Sequence, residues 1–108
     1  MHRVKADLSV SAVALYADFQ QDEAAANEKY LNKTIVVNGE IVDIGDARKG
    51  MPKLKLASKD NQYGVVCSMD PESPHRRKEY HKGEIVTLKC ICMDYYNDVE
   101  LTNCVEKD

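Results

Sequence analysis

No apolar run in these 108 residues approaches the ~18–20 that a helix needs to cross a bilayer, so a membrane-spanning helix is excluded. Neither sign of charge dominates: 15 Lys and Arg stand against 18 Asp and Glu, a net charge of −3. The most basic stretch, residues 71–83, sums only to +2, and the most acidic, 84–108, to −4. The basic footprint of a protein that grips polyanions is therefore missing. Internal repeats, low-complexity tracts and linkers are absent too, which predicts a single domain over 1–108. There is no nucleophile elbow, no phosphate loop, and no His at motif spacing from a carboxylate and a nucleophile, so catalysis is not expected and no cofactor is implied. Met1 to Asp7 carries basic residues with no apolar stretch behind them, so no secretory signal is visible in the chain. What is present is an ordinary apolar content of 44% against 31% charged residues. That is enough for a core without metals or staples, and too much for disorder.

The hydrophobic period divides the chain in two. Val10, Val13, Ala14, Leu15, Ala17 and Phe19 recur at helical spacing, with Ser9 or Ser11 placed to accept the orphan N–H groups of the first turn. Asp22 caps a second, alanine-rich helix from Glu23 to Leu31. It ends at Asn32, a residue that tolerates the left-handed conformation that stops helices. Phe19 and Tyr30 read as core anchors for this helical segment, residues 9–31. From Thr34 the period becomes two, and five strands are predicted: Thr34–Ile44, Met51–Ser58, Gln62–Met69, Glu84–Met93 and Val99–Val105. A short helix from Ser73-Pro74 to Gly83 falls between the third and fourth. Asn38-Gly39 is formally a hairpin signal, yet a hairpin there would leave two very short strands. One long strand bent at Gly39 is favoured instead. The fold class is thus mainly β with α: a five-stranded barrel of order β-β-β-α-β-β over 33–106, preceded by the helical segment. That order is the topology of the OB-fold.

OB-folds carry ligands on their second and third strands and the two loops above them. Arg48 and Lys49 fall in the first of those loops, Lys53 and Lys55 on the outer face of the second strand, and Tyr95 and Tyr96 in a turn from Asp94 to Asp98. These six residues are the candidate ligand-binding set. Cations with aromatic platforms are what single-stranded nucleic acid requires. Asp46, Asp94 and Asp98 share the same loops and repel phosphate, so the strand lysines also read as a solvated edge that resists pairing. The run His75-Arg76-Arg77-Lys78 with His81-Lys82 reads as dipole stabilisation at a helix C-terminus. Cys90-x-Cys92 puts two thiols on one inward face and lacks the second matched pair of a structural zinc site, so no metal is expected. The four cysteines, Cys67, Cys90, Cys92 and Cys104, read either as buried small hydrophobes or as holding one disulfide.

The stretch from Asp22 through Lys29-Tyr30-Leu31 into Thr34-Ile35-Val36-Val37-Asn38-Gly39-Glu40-Ile41 resembles the tRNA-anticodon-binding-domain-like OB-fold family. Lys82-Gly83-Glu84-Ile85-Val86, Val65-Val66-Cys67 and Leu101-Thr102-Asn103-Cys104 are similar to its later strands. The resemblance implies an OB-fold of a small bacterial protein, often exported or lipid-anchored, and hence a cell-envelope or periplasmic setting. It carries no catalytic motif. It also implies a Cys67–Cys104 disulfide between the third and fifth strands, provided a bulge near Asn103 turns Cys104 inward. The expectation is a monomeric, non-enzymatic OB-fold binding module for a protein, peptide or small anionic ligand. Single-stranded nucleic-acid binding through the same face is the alternative.

Overall fold

A computed structural model describes residues 8–46, 52–59, 63–70 and 80–107 of the protein. The elements run β1 (Leu8–Ser11), α1 (Ala12–Gln21), α2 (Glu23–Tyr30), β2 (Thr34–Asp46), β3 (Pro52–Leu56), β4 (Val65–Met69), β5 (Ile85–Tyr96) and β6 (Asp98–Glu106). The capping residues act as their chemistry predicts. Ser11 accepts the Ala14 N–H at 3.1 Å, and Asp22 accepts the Ala25 N–H at 3.2 Å. Asp22 also has extended backbone, φ −157° and ψ 94°, so the same residue that opens α2 ends α1. Asn32, at φ 64°, turns the chain out of α2, and its N–H donates to the Cys92 carbonyl at 2.8 Å.

The bend in β2 builds the barrel. Thr34 to Glu40 pairs with β5, whereas Ile41 to Asp46 pairs with β3, with the ladder shifting between Ile41 and Asp43. Gly39 sits where the strand changes partners. A Cβ there would meet Ala12 Cβ at 3.0 Å and Leu56 Cβ at 3.3 Å, so the missing side chain admits both neighbours. β3 continues to β4, and β4 joins β6 in parallel, Val65 opposite Val99. The β5–β6 hairpin returns the sheet to β2 and closes it. This is the five-stranded OB topology. The helix expected from Ser73 falls mostly on residues 71–79, outside those described. Gly83, its expected end, has φ 90° and donates its N–H to the Ile41 carbonyl at 2.7 Å.

One element is additional to the expected order. β1 lies parallel to β2, Leu8 opposite Ile35 and Ser11 opposite Asn38. Parallel neighbours need a long crossover, and α1 with α2 supplies it. Four residues leading into a helix leave too short an alternation to stand out from the helical period that follows.

Inside the barrel the alternation holds. Leu54, Leu56, Val65, Cys67, Met69, Val86, Leu88, Cys90, Cys92, Val99 and Leu101 are all buried, and they share one core with Leu15, Phe19 and Tyr30 of the helices. Two irregularities redirect it. Asn103, at φ 52°, marks a bulge beyond which Cys104 returns to the interior, the condition under which the resemblance allowed Cys104 to form a bridge. A second shift, between Cys92 and Asp94, reverses the parity of β5. Tyr95 then faces the core, and Tyr96 faces solvent at 78% exposure.

Candidate ligand-binding face

The register of the ladders lines up one cross-strand row on the outer surface. Asp43 of β2 stands opposite Lys55 of β3, Lys55 opposite Val66 of β4, Val66 opposite Glu100 of β6, and Glu100 opposite Asp94 of β5. Lys53 and Ser68 form the next pair along, between β3 and β4. The face therefore runs from cationic at β3 to anionic at β5. Beside the acidic end lies a concavity of about 340 Å³ lined by Ser68, Met93, Asp94, Glu100, Leu101 and Thr102.

The six residues nominated from sequence meet different fates. Lys53 is exposed and available on this face. Lys55 is half-buried, with Nζ 3.7 Å from Asp98 Oδ1. Asp98 is itself committed, because the same oxygen accepts the Gly64 N–H at 2.7 Å. Asp43 is similarly engaged, 3.8 Å from Lys82 Nζ. Tyr96 stands free at the hairpin tip. Tyr95 corrects the sequence reading. It lies on a strand rather than in a turn, and its ring packs against Phe19 at 5.1 Å and Tyr16 at 6.2 Å between centroids. The cause is the β5 irregularity, which alternation counted from Val86 does not anticipate. Arg48 and Lys49 lie outside the described residues. Sequence reasoning passed over Ser68, Met93 and Glu100. Their outward parity on predicted strands was legible, but their convergence depends on the parallel β4–β6 seam.

The cysteines also depart from what the resemblance implied. Cys104 is bonded to Cys90, across the β5–β6 hairpin, and Cys67 is a free buried thiol, as is Cys92. Cys104 stands opposite Met69 of β4 yet is bonded to Cys90 of β5, so adjacency of strands does not by itself choose the partner. Burial drives the Cys67 thiol far above its ordinary value. Burial, reinforced by the Asp94 charge, pushes Cys92 up to about 11. Desolvation and the adjacent Asp18, which accepts the hydroxyl hydrogen bond at 2.5 Å, likewise raise Tyr30 well beyond the usual phenol range. None of these groups is poised to ionise near neutrality. Among the described residues, the Sγ atoms of Cys67, Cys90 and Cys104 form a group close enough to hold a metal. In this state two of the three are bonded to each other.

A closed five-stranded barrel of β2 to β6, with a parallel β4–β6 seam and with β2 bent so that it serves both halves, defines an OB-fold binding module. The chain belongs to the tRNA_anti-like family, which it matches over residues 1–106. In three dimensions it is similar to a protein of Klebsiella pneumoniae subsp. pneumoniae MGH 78578 described as a "putative nucleic acid-binding lipoprotein". The TM-score is 0.63 at 19% identity, over 92% of this chain and 91% of that one. At that identity the likeness is one of fold. Among curated proteins none matches.

Proposed function

We propose that the protein is a non-enzymatic binding module of the bacterial cell envelope. Its outer β3–β4–β6 face and hairpin tip, with Lys53 and Tyr96 as principal contacts, take a protein segment, a peptide or a small anion. The observation that carries this reading is the charge balance of the face. Lys55 is held by Asp98, and Asp94 and Glu100 close the same row. A surface carrying both signs complements a polypeptide of mixed charge, whereas a polyanion gains affinity with each phosphate that a free cation neutralises. The envelope setting is supported by the description of the Klebsiella neighbour as a lipoprotein.

A second reading, single-stranded nucleic-acid binding, is favoured by that neighbour's description and by an exposed cation, Lys53, and an exposed aromatic ring, Tyr96, on the same outer side of the barrel. The two readings share these residues and part on salt and on probe, because only polyanion binding weakens steeply as salt rises. Amide-shift titration with short carboxylate-bearing peptides is expected to give saturable shifts on residues 53–55, 68 and 94–98, lost in Lys53→Ser. Shifts absent from those residues at millimolar peptide would remove the first reading.

A further inference from the structure

Three sulfur atoms meet inside the barrel. Cys67 on β4, Cys90 on β5 and Cys104 on β6 hold their Sγ atoms within 4.8 Å of one another, and all three side chains are buried. Cys90 and Cys104 are bonded, which leaves Cys67 as a thiol beside a disulfide. Cys104 is the common neighbour, because β6 hydrogen-bonds to β4 on one side and to β5 on the other. A metal has no place in this state, since two of the three prospective ligands are joined and offer no thiolate. A thiol within 4.8 Å of both sulfurs of a disulfide is the starting pair for exchange, which needs that thiol to swing into line with the S–S bond.

We propose that Cys104 is a sulfur with two alternative partners, and that the barrel interior is an intramolecular thiol–disulfide exchange site. The Cys67 sulfur attacks Cys104 Sγ. The Cys67–Cys104 bond forms, the Cys90–Cys104 bond breaks, and Cys90 leaves as a thiol, taking up the proton that Cys67 gave up. One disulfide and one thiol are present before and after, so no outside oxidant or reductant is consumed. Exchange moves the cross-link from the β5–β6 hairpin, where its ends are 14 residues apart, to the parallel β4–β6 seam. The free thiol moves from β4 to β5. Burial keeps the Cys67 proton in place, which makes exchange slow in the closed barrel and preserves either pairing during handling.

Cleavage after glutamate separates the three sulfurs into peptides 41–72 (Cys67), 85–100 (Cys90 with Cys92) and 101–106 (Cys104). The test is to refold the reduced protein in a glutathione buffer, quench and digest it in acid, and identify linked peptides by mass. Two pairs are expected, 85–100 with 101–106 and 41–72 with 101–106. Cys67→Ser should abolish the second pair, and Cys92→Ser, outside the triad, should leave both. In Cys90→Ser the 41–72 to 101–106 link should become the sole disulfide. Wild-type protein that yields only the 85–100 to 101–106 pair overturns the proposal, whether or not Cys90→Ser folds. So does a folded Cys90→Ser that forms no 41–72 to 101–106 link.

Discussion

Tyr95 and Tyr96 are adjacent in the chain and belong to different regions of the molecule. Tyr95 closes an aromatic stack with Phe19 and Tyr16 on the inner side, and Tyr96 stands in solvent on the outer. Leu54 and Lys53 divide in the same way on β3. Inside, side chains are chosen by volume and by the ladder that presents them, and a misplaced residue costs packing. Outside, the same strands carry charges of both signs that the barrel does not need for closure. The interior determines the fold, and the outer face is where recognition is free to differ between proteins of this architecture.

That division makes graded predictions. The largest effect belongs to Tyr30, buried against Phe19 with centroids 5.9 Å apart and bonded to Asp18. Tyr30→Ala should cost about 3 kcal/mol or more in a urea titration. A loss under about 1 kcal/mol would show that the helices are not docked on the barrel. Next comes the pH dependence of the interior. Cys92 titrates at about 11 in the folded protein against an ordinary 9.0, so its neutral form stabilises the fold fully below pH 9. That contribution is lost as pH rises from 9 to 11. Wild type should therefore lose on the order of 2 kcal/mol more than Cys92→Ala across that window. Equal slopes would mean that the thiol is solvated. The smallest effects set the two tyrosines against each other. Tyr95→Ala should cost about 2 kcal/mol and Tyr96→Ala less than about 0.5. Similar values for both would erase the distinction between the two faces.

Most of the barrel was legible from residue order. The capping chemistry of Ser11 and Asp22, the bend at Gly39 and the inward sets on each strand follow from local rules, because a strand with one buried face must alternate. What escaped was non-local or irregular. β1 is short and takes its partner from beyond two helices. The strand expected to end at Met93 runs on to Tyr96, and the shift at Cys92–Asp94 turns Tyr95, expected in a turn, towards the core. The ion pair between Lys55 and Asp98 joins strands that are not ladder neighbours, so a lysine counted as an available cation is partly neutralised. The Cys90–Cys104 bond depends on where the Asn103 bulge places Cys104 between its two neighbouring strands.

The central claim is that the outer face is balanced in charge and suited to a polypeptide or small anion rather than to a polynucleotide. Its most direct test is an amide-shift titration with mixed-sequence single-stranded oligonucleotides at low and moderate salt. The account predicts no saturable shifts on residues 53–55, 68 and 94–98 even at low salt, where electrostatic attraction is strongest. Saturable shifts on those residues that weaken as salt rises would contradict it and establish the nucleic-acid reading in its place.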